Sequence, residues 1–343
     1  NIYTDLDVFH SFYHNQCITI TGTNGKSTTC QLLYEVMKKQ GFDVKLAGNI
    51  GYPILSIKNI KPRSIFVIEA SSYQLDYSKL FNSKYAAIIN ISADHLERHK
   101  TLKNYISAKF KIIKNQKKNS IAFINKHDVY ISKKIKKNHY KSKIVKVNTR
   151  LSDKLSSVYK NNYFLSSSNK ENLSFVLEIS KKLKIKKNII IDTIKKFKGL
   201  KYRQQIIFDN KNISIINDSK STSYSSSLEM LKKSNNVYWL LGGIPKKGDK
   251  LNLPKVYYKN IKGFIFGKNS KKFSLDLKNK IKFKKFYNLK EALNGVFKDI
   301  KKDNSMKKTI LFSPAAASFD SFKNFEDRGS YFNKLTKRYI NAR

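Results

Sequence analysis

The stretch Ile18-Thr19-Ile20-Thr21-Gly22-Thr23-Asn24-Gly25-Lys26-Ser27-Thr28 constrains this chain more than any other. A β-branched apolar run enters a loop with two glycines, and the loop ends in Lys-Ser-Thr before a helix-like segment from Gln31 to Gln40. Glycines let backbone N–H groups approach an anion closely, and a helix N-terminus adds unpaired N–H groups and a positive dipole end. Gly22, Thr23, Asn24, Gly25, Lys26, Ser27 and Thr28 therefore form a candidate cradle for nucleotide phosphates. Lys26 can reach the β/γ-phosphates and Ser27 can ligate Mg²⁺. Ile20 stands where the general G-x-x-x-x-G-K-[ST] pattern has its first glycine. An ordinary strand-to-helix turn is the competing reading.

The chain has 343 residues, which suits about two domains. No uninterrupted apolar window reaches the length of a membrane span, about 18 residues. The N-terminal Asn1-Ile2-Tyr3-Thr4-Asp5 has neither the basic nor the apolar region of a secretory signal. It does not begin with Met, so a processed chain or a fragment is expected. Cys17 and Cys30 read as buried small residues of a reducing compartment. The formal net charge of +45 would suit a nucleic-acid partner. However, only seven of the 69 basic residues are Arg, and the lysines are spread along the chain among many Asn and Ile. Runs such as Lys133-Lys134-Ile135-Lys136-Lys137 then read as solvated faces, with no nucleic-acid partner expected.

Residues 1–15 lack periodicity and read as a linker. Strand-like runs follow at 44–47, 64–69, 85–91 and 120–124, with a helix from Thr101 to Asn115 carrying Tyr105, Ala108, Ile112 and Ile113 at helical spacing. Near-continuous apolar strands alternating with helices predict an α/β fold with a parallel sheet covered on both faces. Residues 126–165 carry little signal; Asn172 to Leu183 reads as a helix. A boundary falls at Gly199-Leu200. Beyond it, 205–208 and 213–216 flank Asp209-Asn210-Lys211-Asn212 as a hairpin. A second α/β alternation follows, with strands at 237–241, 263–266 and 309–312, helices near 270–280 and 289–302, and a last helix from Tyr331 to Ile340. No G-x-G-x-x-G supports a dinucleotide site there.

Polar residues gather where the apolar strands end, which is where open parallel sheets bind ligands. Glu69 ends one strand, and Asn90 to His95 follows another. With Ser27 they offer oxygen and imidazole ligands suited to Mg²⁺ near a γ-phosphate. Glu69 could equally cap a helix before Ser71-Ser72, and His95 could cap the next segment. Lys109 lies on the inner face of its helix, and composition alone favours a snorkelling surface lysine.

Four strings then stand together: Gly-Thr-Asn-Gly-Lys-Ser-Thr, Gly48-Asn49-Ile50-Gly51, Glu69-Ala-Ser-Ser-Tyr-Gln-Leu75 and Asp94-His-Leu-Glu-Arg-His99. They resemble the central domain of the Mur ligases, ATP-dependent amide-forming enzymes of peptidoglycan synthesis. Asn217-Asp-Ser-Lys-Ser-Thr222 and the block from Ser313 to Gly329 extend the resemblance to the C-terminus and resemble the D-glutamate-adding branch.

The resemblance implies a P-loop-type parallel-sheet ATPase domain over 16–199. A Rossmann-like α/β C-terminal domain over 200–343 would bind D-glutamate, and residues 1–15 would be a remnant of the linker from an absent UDP-binding domain. It implies ATP, two Mg²⁺ and the substrates UDP-N-acetylmuramoyl-L-alanine and D-glutamate, in a cytoplasmic monomer without membrane insertion. By position, Lys26 would bind phosphates. Ser27 and Glu69 would serve one Mg²⁺ and His95 a second, and Lys109 would be carbamylated into an anionic ligand. Asn49 and Ser71 would contact the sugar-peptide substrate. Asn169 and Asn172 would face adenine, Arg203 the phosphates and Asp218 the ribose. Lys220 would lie at the interdomain cleft, and Thr222, Lys246, Ser318 and Phe325 would hold D-glutamate.

The implied reaction passes through an acyl phosphate, with domain closure delivering the amine. Two departures stand out: Gly199-Leu200-Lys201-Tyr202-Arg203 keeps Arg203 but lacks the usual Pro, His and Glu around it, and Ser168 replaces a His before Asn169. A folylpolyglutamate synthetase-like ligase, a truncated non-catalytic ATP-binding form and a basic P-loop protein acting on nucleic acid are the competing readings.

Overall fold

Period-two alternation sorts the apolar runs onto two sheets, each with side chains leaving both faces. The computed structural model describes residues 2–150, 161–246, 248–303 and 307–340. They fall into two compact units, Asn1–Phe197 and Lys198–Arg343.

In the first unit, β1 (Cys17–Thr21), β2 (Val44–Gly48), β3 (Ile65–Glu69), β4 (Tyr85–Ile88), β5 (Ile121–Asn125) and β6 (Lys143–Val147) form one sheet. Its order is β2-β3-β1-β4-β5-β6 and every pairing is parallel. The helices are α1 (Asp5–Phe12), α2 (Lys26–Lys39), α3 (Ser72–Tyr77), α4 (Leu96–His99), α5 (Leu102–Lys114), α6 (Val129–Lys136), α7 (Ser167–Lys182) and α8 (Lys187–Lys196). Ile18, Ile20 and Val67 pack with α2, α7 and α8 on one face. Cys17, Phe66 and Ile68 pack with α1, α5 and α6 on the other. The expected two-sided burial is present. Cys17 and Cys30 are buried free thiols.

Residues 1–15, expected as a linker, contain α1. Thr4 and Asp7 form a reciprocal capping box, and Leu6 and Phe9 are buried. Asp7 also accepts from Ser78 Oγ and from the Leu80 and Phe81 amides at 2.8–2.9 Å. A helix of eight residues shows too little periodicity to be read from sequence; its cap and its carboxylate anchor it. The quiet stretch 126–165 holds α6, capped by Asp128, and β6. Its residues 151–160 lie outside the described residues. α7 begins at Ser167, five residues before the expected Asn172, because Ser166 caps it by accepting from the Asn169 amide.

In the second unit, β7 (Gln205–Asp209), β8 (Ile213–Asn217), β9 (Val237–Gly242), β10 (Ile261–Phe266), β11 (Lys282–Phe286) and β12 (Lys308–Phe312) form a sheet of order β11-β10-β9-β12-β8-β7. Only the predicted hairpin, β7 with β8, is antiparallel. The helices are α9 (Tyr224–Lys233), α10 (Ser270–Leu277), α11 (Leu289–Lys301) and α12 (Phe325–Ile340). Trp239 and Leu241 enter one core and Tyr238 and Leu240 the other. The last helix starts at Phe325, six residues before the expected Tyr331, and buries Arg328 and Gly329. No helix among the described residues is long and apolar enough to cross a membrane.

Candidate nucleotide and acceptor sites

The loop after β1 turns into α2 through Gly25, which is its N-cap in the left-handed conformation (φ 81°) and carries no side-chain cap. The first N–H groups of α2 are therefore offered to an anion. Gly25 also has a steric reason: a Cβ there would stand 1.9 Å from Asn172 Oδ1. Asn172, on α7, thus leans directly on the phosphate loop. Its Oδ1 is buried without a hydrogen-bond partner. Its Nδ2 donates to Asn169 Oδ1 at 3.4 Å, and Asn169 Nδ2 donates to the Tyr163 carbonyl at 2.8 Å.

The loop is braced from the next strand. Asn90, just beyond β4, accepts through Oδ1 from the Thr23 amide at 3.1 Å and the Asn24 amide at 2.9 Å. Thr23 Oγ1 bonds Tyr105 Oη at 3.1 Å and donates to the Ser92 carbonyl at 3.2 Å. The amides of Thr23 and Asn24 are thereby held inside the protein, and the open donors lie in the first turn of α2. Lys26 folds back on the loop, with Nζ donating to the Gly22 and Thr23 carbonyls at 3.0 and 2.9 Å.

Lys109 is no surface lysine: it is 1% exposed. Its Nζ donates to the Gly22 carbonyl at 2.7 Å and sits 4.6 Å from the centre of the Tyr105 ring. Burial, helped by the nearby Lys26 charge, holds its pKa well below the ordinary lysine value. A lysine on the inner face of α5 was visible in the sequence; its aim at the loop needed the fold.

Glu69 is 4% exposed and its Oε2 has no hydrogen-bond partner. It does not cap α3; Ser71 does, accepting from the Gln74 amide in a capping box. Nor does the His95 side chain cap α4. His95 Nδ1 instead meets Tyr73 Oη at 2.9 Å, and Tyr73 stacks on the buried His99. Asn49 is exposed beside Gly48, donating its amide to the Glu69 carbonyl at 3.1 Å. Ser27 is buried at the head of α2. An unpaired buried carboxylate oxygen and a hydroxyl are the oxygen ligands a hard cation takes. Among the described residues no three His, Cys, Asp or Glu side chains converge as a ready metal site.

In the second unit the polar segments again follow the carboxyl ends of neighbouring strands. Asp218, Lys220 and Thr222 follow β8, Lys246 follows β9, and Ser318 and Phe325 follow β12. Ile244 and Ala317 exchange backbone hydrogen bonds at 2.9 Å, which joins the Lys246 and Ser318 segments. Lys220 Nζ lies 4.0 Å over the Phe325 ring. Ser318 is buried, while Thr222 and Lys246 are exposed. Asp218 spends both oxygens inside the unit: Gln204 donates its amide to Oδ1 at 3.1 Å, and Ser313 Oγ donates to Oδ2 at 2.9 Å. Burial pushes its pKa up to about 7 despite these donors. Asp218 thus pins the Tyr202–Gln204 turn that carries Arg203, where Tyr202 and Gln204 both adopt positive φ.

Several site-supporting residues escaped the sequence reading. Arg328 is fully buried, and its guanidinium donates to the Ser219 and Ala316 carbonyls at 2.8 and 2.9 Å. Burial lowers its pKa to about 10. Glu171 and Asn125 also had no signal beyond their residue type.

A parallel sheet with a glycine loop opening an uncapped helix at the end of its central strand defines a P-loop-type nucleotide-binding fold. The family described as the Mur ligase middle domain matches residues 20–190. The chain belongs to the Mur ligase family. It is 36% identical, over 98% of its length and 79% of the relative, to the UDP-N-acetylmuramoylalanine–D-glutamate ligase of Rickettsia felis. It is 37% identical to the protein of that name from Rickettsia prowazekii, over 98% of this chain and 80% of that one. Among solved structures it resembles MurF of Thermotoga maritima in complex with ADP, with a TM-score of 0.66, 16% identity and coverage of 97% and 83% of the two chains. It likewise resembles Escherichia coli FolC in complex with DHPP and ADP, with a TM-score of 0.66, 11% identity and coverage of 99% and 94%.

Proposed function

We propose that this chain is an ATP-dependent ligase that joins D-glutamate to UDP-N-acetylmuramoyl-L-alanine in peptidoglycan synthesis. The observation that carries the reading is the long similarity to relatives of that name, joined to an uncapped phosphate-loop helix with two lysines aimed at Gly22. The substrate carboxylate attacks the γ-phosphorus of ATP; a C–O–P linkage forms and ADP leaves. The amine of D-glutamate then attacks the acyl carbon, the C–N bond forms, phosphate leaves and the nitrogen gives up a proton. The first turn of α2 and Lys26 hold the phosphates as negative charge moves.

Mg²⁺ would supply further charge neutralisation at the phosphates. Ser27 and Glu69 would hold one ion and His95 another, a reading supported by the partnerless Glu69 Oε2. Burial lowers the Lys109 pKa well below the ordinary lysine value, which favours the free lone pair that carbamylation by CO₂ requires. Carbon-13 NMR of protein equilibrated with labelled bicarbonate would show a carbamate signal that disappears in Lys109→Ala. Asn49 and Ser71 serve the sugar-peptide substrate, and Asn169 and Asn172 the nucleoside. Arg203 serves the phosphates and Asp218 the ribose, Asp218 also pinning the turn that carries Arg203. Lys220 serves the catalysis, and Thr222, Lys246, Ser318 and Phe325 serve D-glutamate. The use of ATP and the free buried thiols favour a cytoplasmic setting.

Phosphate release should require both the UDP-linked acid and D-glutamate. Equal turnover with a different acceptor amino acid would overturn the D-glutamate assignment.

A further inference from the structure

Glu171, in the second turn of α7, sits between the ends of two strands. Asn90, beyond β4, donates its Nδ2 to Glu171 Oε1. Asn125, the last residue of β5, donates its Nδ2 to Oε2 at 3.1 Å and to the Ile89 carbonyl at 3.0 Å. Among the described residues no lysine or arginine pairs with this carboxylate, in a chain with 69 basic residues. An acid near a phosphate site repels the ligand, so its presence calls for a reason.

The chemistry of the amide gives one. An asparagine offers an oxygen on one side and an NH₂ on the other, and the two ends fit a site equally well by shape. The Thr23 amide also donates to the Asn90 backbone carbonyl at 2.9 Å, but the Asn24 amide has Asn90 Oδ1 as its acceptor, so Asn90 must face the loop with Oδ1. An ionised carboxylate only accepts, so it selects the orientation that turns NH₂ toward itself. It does the same for Asn125, whose Oδ1 then accepts from the His127 amide at 2.9 Å and Thr149 Oγ1 at 3.1 Å.

We propose that Glu171 is a positioning residue for the phosphate loop: it orients the Asn90 amide that holds Thr23 and Asn24, and thereby sets nucleotide affinity. This rests on the nucleotide-binding reading above. It makes Glu171 and Asn90 one device, so their effects on binding are not additive.

Calorimetric titration with ADP tests it on the wild type, Glu171→Leu, Asn90→Ala and the double variant, each checked by thermal melting. If wild type does not bind ADP, the nucleotide-binding reading fails. If wild type binds, Glu171→Leu should raise Kd about tenfold or more, as expected for losing a hydrogen bond to a charged group. The double variant should bind no worse than Asn90→Ala. A Glu171→Leu protein that melts normally and binds ADP as wild type does, or effects that simply add, would overturn the proposal. Should Glu171→Leu not fold, Glu171→Gln keeps the shape and introduces a competing NH₂. It should weaken ADP binding and shift the Thr23 and Asn24 amide resonances, and unchanged binding and resonances would likewise sink the idea.

Discussion

Lys26 and Lys109 share one acceptor: both side-chain nitrogens donate to the carbonyl oxygen of Gly22, at 3.0 and 2.7 Å. Two like charges on one oxygen, one of them buried, are electrostatically unfavourable unless an anion arrives or one lysine is neutral.

Replacing Lys109 separates stability from function. Lys109→Met removes a desolvated amine and leaves the Gly22 carbonyl to Lys26, so the first unit should gain stability, on the order of 1 kcal/mol. Ligase turnover should vanish. The sign follows from linkage: a lysine whose pKa is lowered in the folded state binds fewer protons there than when unfolded. Wild-type stability therefore falls as pH drops from the ordinary lysine value toward the lowered one. Urea midpoints at several pH values should show that slope in wild type and lose it in the variant.

Two glycines with positive φ should respond differently to alanine. Gly41→Ala meets nothing within 4 Å and carries backbone strain alone, about 1–2 kcal/mol. Gly25→Ala carries the same strain and also drives Cβ into Asn172. Equilibrium melting should show destabilisation in both, and ADP titration should show lost binding only in Gly25→Ala.

Asp218 predicts a pH effect in the second unit. Its pKa is raised by burial to about 7, so the folded state holds its proton where the unfolded chain has lost it. The associated stability is complete below about pH 4, the ordinary carboxylate range, and is lost as pH rises through about 7. Asp218→Asn should flatten the denaturation midpoint across that window. An unchanged slope would show that other groups set it.

Arg328 should not tolerate lysine. Its planar fork reaches Ser219 Oγ, the Ser219 and Ala316 carbonyls and, at 3.4 Å, the Gly242 carbonyl. An ammonium cannot span these directions. Arg328→Lys should cost about 2 kcal/mol or more in chemical denaturation, because buried acceptors lose their donor.

The phosphate loop, the two-sided parallel sheets and the β7–β8 hairpin were legible because each rests on local chemistry. Glycine placement, β-branched alternation and an Asp-Asn turn all act over a few residues. Lys109 was half legible: helical spacing put it on the inner face of α5, but a lysine's usual habit is to reach solvent. Helix α1 was not legible, since Asp7 anchors it to Ser78, Leu80 and Phe81, more than 70 positions away.

The sequence by itself determined that an anion-binding loop opens a helix after a buried strand, and which residue types surround it. Tertiary structure alone decided that Asn172 presses on Gly25, that Asn90 and Glu171 hold the loop's amides, and that Lys109 meets Gly22. Those contacts join strands and helices distant in the chain. Their distances and amide orientations follow from packing and hydrogen-bond satisfaction in the folded interior, which no local pattern encodes.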